Sequence, residues 1–438
     1  MWDRKLYSLL TDDDGEVRSC EAIPEEACSD VPRNFVLNAA NGSCTKLAEQ
    51  LASPGLVLPW LLDAVGAPVF LVGWLEPVRQ GGSLLPQLLV SAEIRARRVR
   101  KWFWVAAGTV QALLLALMAV AVAGIGGAAA GVAVVGLLAL FSVASGVGSV
   151  AFADVMGKTV PKGKRGQLLA VRASAGGALT LAAGLVVRRA VGQEAGVGVY
   201  AALIGAAAVL WLAGAGLFAA IQETPGATAG GRDAVAEIRR GIRAVGEERA
   251  FRRYLAARGL LLATELQIPF LALHARSLGL PGDALGVLMI GLALADLLGS
   301  PVWGRLADRA SSRMVMTAGA AASMLALVVA LALDVMGAAP GAWMVAPVFV
   351  LAGLAKAGVR LGRKTYLVDA TEERDRALYV SASNTGMGAL AFGYGVLGVV
   401  PQLVGMTILL LVLLGLSTLG LVASRLLPEA EQAGFGRP

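Results

Sequence analysis

Lysine and arginine residues occur in every second gap between a dozen long apolar stretches, and this alternation constrains the fold more than any other feature. The basic gaps are residues 95–101, 158–165, 305–313 and 363–376. Few basic residues lie in the other short gaps, the exceptions being Arg188, Arg189 and Arg276. Short cytoplasmic loops of membrane proteins are enriched in Lys and Arg. The pattern therefore predicts a multi-pass helical membrane protein with both termini in the cytoplasm.

The composition agrees with this topology. The chain has 438 residues, of which 57% are hydrophobic, and its mean hydropathy is +0.69. A membrane-spanning helix needs roughly 20 mostly apolar residues, so twelve helices use about 240 residues and leave short loops. We predict an all-α integral membrane protein with twelve transmembrane helices. The net charge of +7 is accounted for by the cytoplasmic loops, so nucleic acid is not an expected partner.

One long polar connection divides the chain. We predict a cytoplasmic tail over 1–32, a six-helix bundle over 33–221, a cytoplasmic connection over 222–253, a second six-helix bundle over 254–427 and a tail over 428–438. The first helix is expected over 35–62 and the seventh over 254–275. The connection fits either an amphipathic helix on the membrane surface or a solvated linker.

The two halves repeat short motifs at equivalent places. Gly157-Lys158-Thr159 follows the fourth predicted helix and Arg363-Lys364-Thr365 follows the tenth. Such matches favour a parallel duplication, which occurs in some transporter folds.

The run Gly304-Arg305-Leu306-Ala307-Asp308-Arg309 resembles the Gly-x-x-x-Asp-Arg loop of the major facilitator superfamily. Ser311 stands where a second Gly is usual, and the counterpart in the first half has Ala96 where the Asp belongs. The fifth predicted helix has no Gly-Pro pair of the kind typical of drug antiporters. The resemblance covers nearly everything after residue 33. It implies a fold of two six-helix bundles, secondary transport, and a gating role for Gly304, Asp308 and Arg309.

Polar residues in the first two predicted helices are candidates for a cavity lining, because ionisable groups at mid-membrane depth are costly and rarely face lipid. Asn38, Asn41, Thr45 and Glu49 share one helix face. Lys46 and Glu49 are spaced to pair along the first helix, either as a substrate or proton site or as a lock between helices. A candidate pair with the same spacing follows in the second helix: Glu76 and Arg79.

The second half contributes three mid-membrane charges: Glu265, Asp296 and Lys356. None has an opposite charge one turn away in its own helix. Desolvation favours the protonated form of a lone carboxyl, which makes Glu265 a candidate proton carrier. The alternative is a static ion pair between Glu265 and Lys356 or Lys46.

No cofactor, metal site or enzyme activity is predicted. The sequence has no Walker A motif, so ATP does not supply the energy. Cys20 and Cys28 lie in the predicted cytoplasmic tail, and the single His274 lies far from them. We expect a monomeric transporter of the bacterial inner membrane that moves a small polar or anionic solute by alternating access, coupled to protons. The alternatives are an assembly factor or receptor with the same fold and, with less support, a channel.

Overall fold

Long helices follow the apolar stretches of the sequence, as predicted. The computed structural model describes residues 2–11, 25–193, 195–226, 243–336, 340–372 and 376–435. Its helices form twelve successive spans, of which the first, seventh and eleventh consist of two pieces each. The spans are Val31–Leu51 with Val57–Ala64, Val72–Ala96, Lys101–Gly124, Gly127–Thr159, Arg165–Ala190, Val197–Ala219, Arg249–Leu260 with Ala263–Ser277, Ala284–Arg309, Ser312–Val335, Ala342–Asp369, Arg376–Tyr394 with Val400–Val404, and Met406–Arg425.

Within the described residues, ten helices are long and apolar enough to cross a membrane. The first and second spans are outside that group, and these two carry Lys46, Glu49, Glu76 and Arg79. The first span also breaks around Ser53-Pro54-Gly55, because proline has no amide hydrogen to continue the helix. The predicted first helix, 35–62, lacked this break.

Large apolar side chains cover the outside of the bundle. Leu113 is 64% exposed and Val120 is 69% exposed on the third span, and Val186 is 64% exposed on the fifth. An apolar surface this extensive is expected to contact lipid rather than water. The all-α, twelve-helix membrane fold predicted from the sequence is confirmed.

The Lys- and Arg-rich connections lie together at one end of the bundle, called here the basic end. Lys158 Nζ lies 2.7 Å from Glu223 Oε1, and Arg100 Nη1 lies 3.1 Å from Asp154 Oδ2. These contacts join the third, fourth and sixth spans at that end. The other end, called the opposite end, carries the connections 65–71, 191–196 and 278–283.

The first six spans contact the last six mainly through two helix pairs, the fifth with the eighth and the second with the eleventh. At the opposite end the fifth and eighth spans touch through their backbones. A Cβ added to Gly286 would lie 2.4 Å from the backbone nitrogen of Arg188 and 2.4 Å from the carbonyl oxygen of Gly184. Only glycine permits this approach.

Toward the basic end the same helices diverge. Gly166 on the fifth span and Gly304 on the eighth have open space where a Cβ would project. The second and eleventh spans meet at Gly73 and Gly398 at the opposite end and again at mid-span, where an added Cβ on Gly81 would lie 2.9 Å from the Gly388 carbonyl oxygen; Gly386 has open space. The structure is therefore closed at the opposite end and separated toward the basic end.

Short segments flank the spans. The helix Trp2–Thr11 packs against the first span, with the rings of Tyr7 and Phe35 5.2 Å apart. Near the other terminus Phe435 is buried, and its amide donates to the Ala370 carbonyl. Most of the long connection, 227–242, lies outside the described residues, as does Cys20.

Candidate substrate cavity

A charged cavity of about 240 Å³ lies between the two halves. The first, second, seventh, eighth and tenth spans supply its polar lining, and the third and fourth spans add apolar side chains. The charged and amide side chains that line it are Lys46, Glu49, Gln50, Glu76, Arg79, Gln80, Glu265, Asp296, Lys356 and Arg360. Among the lining residues that the structure describes, Phe141 is the one aromatic side chain.

Seven of the eight residues predicted to line a cavity do so: Lys46, Glu49, Glu76, Arg79, Glu265, Asp296 and Lys356. The eighth, Asn41, points away from it. Its Nδ2 donates to the Gly214 carbonyl oxygen at 2.9 Å, and its Oδ1 accepts from Arg172. The predicted polar stripe of the first span therefore divides: Asn38, Asn41 and Thr45 are buried against other helices, and Glu49 faces the cavity.

The predicted ion pair between Glu49 and Lys46 of the same helix is wrong. Its Oε1 lies 3.3 Å from Arg79 Nη2 on the second span, and Lys46 is not its partner. Arg79 also lies over the Phe141 ring, with Cζ 5.5 Å from the ring centroid. Long side chains on adjacent helices reach each other across the cavity wall, so this tertiary contact replaces the local i, i+3 pair.

Glu76 pairs across the two halves instead of with Arg79. Its Oε1 lies 3.6 Å from Lys356 Nζ on the tenth span. The Glu76 side chain is 5% exposed and that of Lys356 is 31% exposed. The ion pair therefore joins a buried carboxylate of the first half to a cavity-facing ammonium of the second.

Glu265 has partners from two helices, neither of them the predicted Lys356 or Lys46. Its Oε1 lies 3.3 Å from Arg363 Nη2 in the same half. Its other oxygen, Oε2, accepts a hydrogen bond from Gln80 Nε2 in the first half. Glu265 is thus a buried, ion-paired carboxylate that also contacts the opposing half.

The tenth span carries a row of cations, of which only Lys356 was predicted to lie at mid-membrane depth. Lys356, Arg360 and Arg363 are spaced i, i+4 and i+7, so they share one helix face. Lys356 and Arg360 line the cavity, and Arg363 binds Glu265. The helical spacing of the three residues was the signal that could have revealed this row.

Arg172 lies on the fifth span and contacts two neighbouring helices. Its Nη1 donates to the backbone carbonyl of Asn38 at 2.8 Å and to both the Asn38 and Asn41 side-chain oxygens. Its Cζ also lies 4.4 Å from the centroid of the Phe152 ring. Arg172 joins the first, fourth and fifth spans within one half.

Side chains as well as glycines close the opposite end. Arg276 Nε lies 3.2 Å from Asp63 Oδ2, and the guanidinium sits 5.1 Å from the centroid of the Trp60 ring. Trp60 Nε1 donates to the Ala272 carbonyl at 2.8 Å. All these contacts join the first span to the seventh, so they join the two halves.

The predicted gating loop lies at the basic end. Gly304 has open space around it and Arg309 is exposed; the Asp308 side chain lies outside the described part. Ser311, where the resemblance leads one to expect glycine, caps the ninth span by accepting from the Met314 amide at 3.3 Å. A hydroxyl acceptor at this position satisfies an otherwise free helix amide.

Comparison with known proteins agrees with this architecture. The profile of the Major Facilitator Superfamily matches residues 254–436. An uncharacterized protein of Mycobacterium tuberculosis is 27% identical over 407 residues, which cover 90% of this chain and 77% of that protein. An uncharacterized protein of Mycobacterium bovis matches to the same extent.

Solved transporters share the fold of the whole chain. A D-xylose-proton symporter superimposes with a TM-score of 0.68 at 14% identity, covering 91% of this chain and 98% of that one. The nucleoside transporter NupG superimposes with a TM-score of 0.65 at 14% identity, covering 92% of this chain and 100% of that one. The inward-open conformation of the xylose transporter XylE from E. coli superimposes with a TM-score of 0.67 at 11% identity, covering 90% of this chain and 96% of that one. The second half of the chain thus matches the profile of the Major Facilitator Superfamily, and both halves share the fold of these solved transporters.

Proposed function

We propose that the protein is a proton-coupled secondary transporter that moves a small polar or anionic solute across the bacterial cytoplasmic membrane by alternating access. The charged cavity between the halves, closed at the opposite end and separated toward the basic end, carries this proposal. A solute site at the interface of two helix bundles is the arrangement that rocking of the bundles exposes to each side in turn.

The proposed orientation places the basic end in the cytoplasm, in accordance with the enrichment of Lys and Arg in cytoplasmic loops. Residues 33–221 and 254–427 then form the two moving halves of a monomer, joined by a cytoplasmic connection over 222–253. In this orientation the structure represents an inward-facing state. Gly304, Asp308 and Arg309 lie where the halves must approach when the cytoplasmic side closes.

Polar contacts between the halves would have to change during this motion. Glu76 contacts Lys356, Gln80 contacts Glu265, and Gln50 Nε2 donates to Asp296 Oδ2 at 3.3 Å. Protonating Glu76 or Glu265 removes a negative charge that holds a cation. A proton taken up on one side can thus weaken a contact that otherwise favours one state. The D-xylose-proton symporter is a proton-coupled transporter with this fold.

Accessibility of the cavity from both sides tests transport against the assembly-factor or receptor alternative. Ser53 lines the cavity, so Ser53→Cys, in a background with the three native cysteines replaced by serine, provides the probe. An impermeant maleimide should label it in inverted vesicles and, in a smaller fraction of molecules, in intact cells. Labelling from a single side under all conditions would contradict alternating access.

Proton coupling is tested by Glu265→Gln in proteoliposomes that contain the solute found by a thermal-shift screen. If Glu265 carries the proton, exchange of labelled solute should continue, because exchange needs no net proton movement. Accumulation driven by a pH gradient should disappear.

The double variant Glu265→Gln/Arg363→Gln separates coupling from structure. Removing both members of a buried pair avoids the unpaired charge that a single substitution leaves. The double variant should recover thermal stability without recovering pH-driven accumulation. Recovery of accumulation would show that Glu265 serves only as a structural partner of Arg363.

A further inference from the structure

The cations that line the cavity fall into two groups. Arg79 and Lys356 have carboxylate partners in Glu49 and Glu76. Lys46 and Arg360 form no ion pair among the described residues, although both line the cavity. The four paired groups neutralise one another, which leaves Lys46 and Arg360 with the carboxylates of Asp296 and of Glu265, and Glu265 is paired with Arg363.

Lys46 and Arg360 meet in a side recess of about 70 Å³ that adjoins the main cavity. The first, fifth, eighth and tenth spans form the recess. Its lining consists of Lys46, Gln50, Ala173, Gly176, Gly177, Thr180, Asp296, Ala357 and Arg360. Because Lys46 belongs to the first half and Arg360 to the second, the recess lies across the interface that must change during transport.

The helices hold the recess in shape. Lys46 lies against Gly176, where an added Cβ would come 2.5 Å from the Lys46 Cβ. The Thr180 hydroxyl donates to the Gly176 carbonyl at 2.8 Å, so that hydroxyl hydrogen is engaged within the helix. The Thr180 hydroxyl is thus not free to donate to a ligand. The cationic side chains of the recess that can donate to an anion are Lys46 and Arg360.

Two cations and one carboxylate give the recess a single excess positive charge. Asp296 supplies the carboxylate, and its Oδ2 accepts from Gln50. A group with one negative charge balances this excess, and the planar guanidinium of Arg360 matches the two oxygens of a carboxylate. We propose that Lys46 and Arg360 form the binding subsite for the carboxylate of a small organic acid, a proposal that rests on the proposed transport function and names its substrate class.

The row of cations on the tenth span extends this subsite toward the basic end. Arg363 and Lys364 follow Arg360, and Arg258 of the seventh span adds to the positive potential at Lys364. Glu265 is the acidic member of that group. A predominantly cationic approach raises the local concentration of anions at the mouth of a cleft. In the proposed inward-facing state this positive potential lies on the cytoplasmic side of the recess.

Binding also explains how the solute affects the two halves. A carboxylate held by Lys46 and Arg360 joins the first span to the tenth and reduces the repulsion between the two cations. This contact is available only when the halves bring both cations to the recess. Both cations already line the recess in the proposed inward-facing state, so the bound acid favours states that keep the first and tenth spans together at the recess.

The test measures thermal shifts of the purified full-length protein with matched acids and amides. The acids are acetate, lactate, succinate, benzoate and glutamate, each compared with its amide. At least one acid should stabilise the protein while its amide does not. Lys46→Gln and Arg360→Gln should each raise the dissociation constant of that acid at least ~30-fold, the effect expected when one partner of a charged contact is removed. Arg360→Lys should recover part of the affinity.

Lys162→Gln is the matched control, because it removes one positive charge from an exposed position at the basic end and should leave the affinity unchanged. An equal loss in the control would show that only net charge matters and would overturn the proposal. The proposal is also overturned if no acid stabilises the protein, if amides bind as well as acids, or if xylose and uridine alone bind with no effect of the two substitutions.

Transport of the same acid is measured separately in proteoliposomes. Acid binding that depends on Lys46 and Arg360, without any exchange of labelled acid, would support the subsite and contradict the transport function. Exchange of a solute whose binding is insensitive to both substitutions would support transport and contradict the subsite.

Discussion

At the scale of single residues, Arg172 shows how one half-buried cation organises a half of the protein. Its guanidinium takes part in contacts with Asn38, Asn41 and the Phe152 ring. Gly42 makes room for it, since a Cβ there would lie 2.4 Å from Arg172 Nε. Asn38 and Asn41 are fully buried, so their oxygens depend on this guanidinium for a hydrogen-bond donor.

We predict that Arg172→Ala lowers the stability of the protein by about 2–5 kcal/mol, because each buried acceptor left without a donor costs about 1–3 kcal/mol. Arg172→Lys should recover only part of this loss, since an ammonium cannot reproduce the planar contacts. Thermal unfolding in detergent provides the measurement. Arg189→Ala, at an exposed position on the same helix, is the control and should change stability by less than about 0.5 kcal/mol. Equal effects of Arg172→Ala and Arg189→Ala on stability would contradict the proposed role of Arg172 as the donor for these buried oxygens.

The sequence predicted which charges line the cavity better than it predicted their partners. A charge at mid-membrane depth has to avoid lipid, so Glu49, Glu76 and Glu265 could be assigned to the interior without a structure. Their partners depend on which helices are neighbours. The i, i+3 rule selected Lys46 for Glu49, whereas the partner in the structure is Arg79, which reaches Glu49 from the second span.

At the scale of helices, the fifth and eighth spans form an interface that differs between its two ends. Gly286 meets the backbone of Gly184 and Arg188, whereas Gly304, on the same helix at the basic end, meets nothing within 4 Å. A backbone contact cannot yield to a larger side chain by a change of rotamer. Closure of the opposite end therefore depends on glycine at position 286.

We predict that Gly286→Leu shifts the population toward states open at the opposite end. The measurement is impermeant-maleimide labelling of Ser53→Cys in intact cells, which should increase several-fold. Gly304→Leu is the matched control for side-chain size: it leaves the opposite end free to close and should not increase this labelling. Unchanged labelling in a correctly folded Gly286→Leu variant would show that the two spans can separate there without opening the cavity.

Helix breaks were harder to predict than helices. Pro54 was visible in the sequence, yet 35–62 was interpreted as one helix because the apolar character continues on both sides. The seventh span was placed at 254–275 and extends over 249–277 in two pieces. Apolar composition marks membrane depth, whereas the break depends on local backbone hydrogen bonds that composition does not encode.

At the scale of the whole molecule, the charge alternation predicted the twelve-helix fold because membrane insertion depends on the same property that the sequence displays. It did not predict which end of the cavity is closed. That property depends on tertiary contacts such as Arg276 with Asp63 and Trp60, whose members are distant in sequence. The conformational state is therefore a property of the assembled halves and not of any one span.

The last prediction concerns the orientation of the whole molecule in the membrane. If the basic end is cytoplasmic, a cysteine at Ala234 in the long connection should resist an impermeant maleimide in intact cells and react in inverted vesicles. Gln193→Cys, at an exposed position of the opposite end, should react in intact cells. Both variants require the background without native cysteines, and both should react fully after solubilisation in detergent, which controls for a cysteine that is simply buried. Labelling of Ala234→Cys but not Gln193→Cys in intact cells would reverse the orientation. The structure would then be outward-facing, and the cationic row of the tenth span would lead to the exterior instead of the cytoplasm.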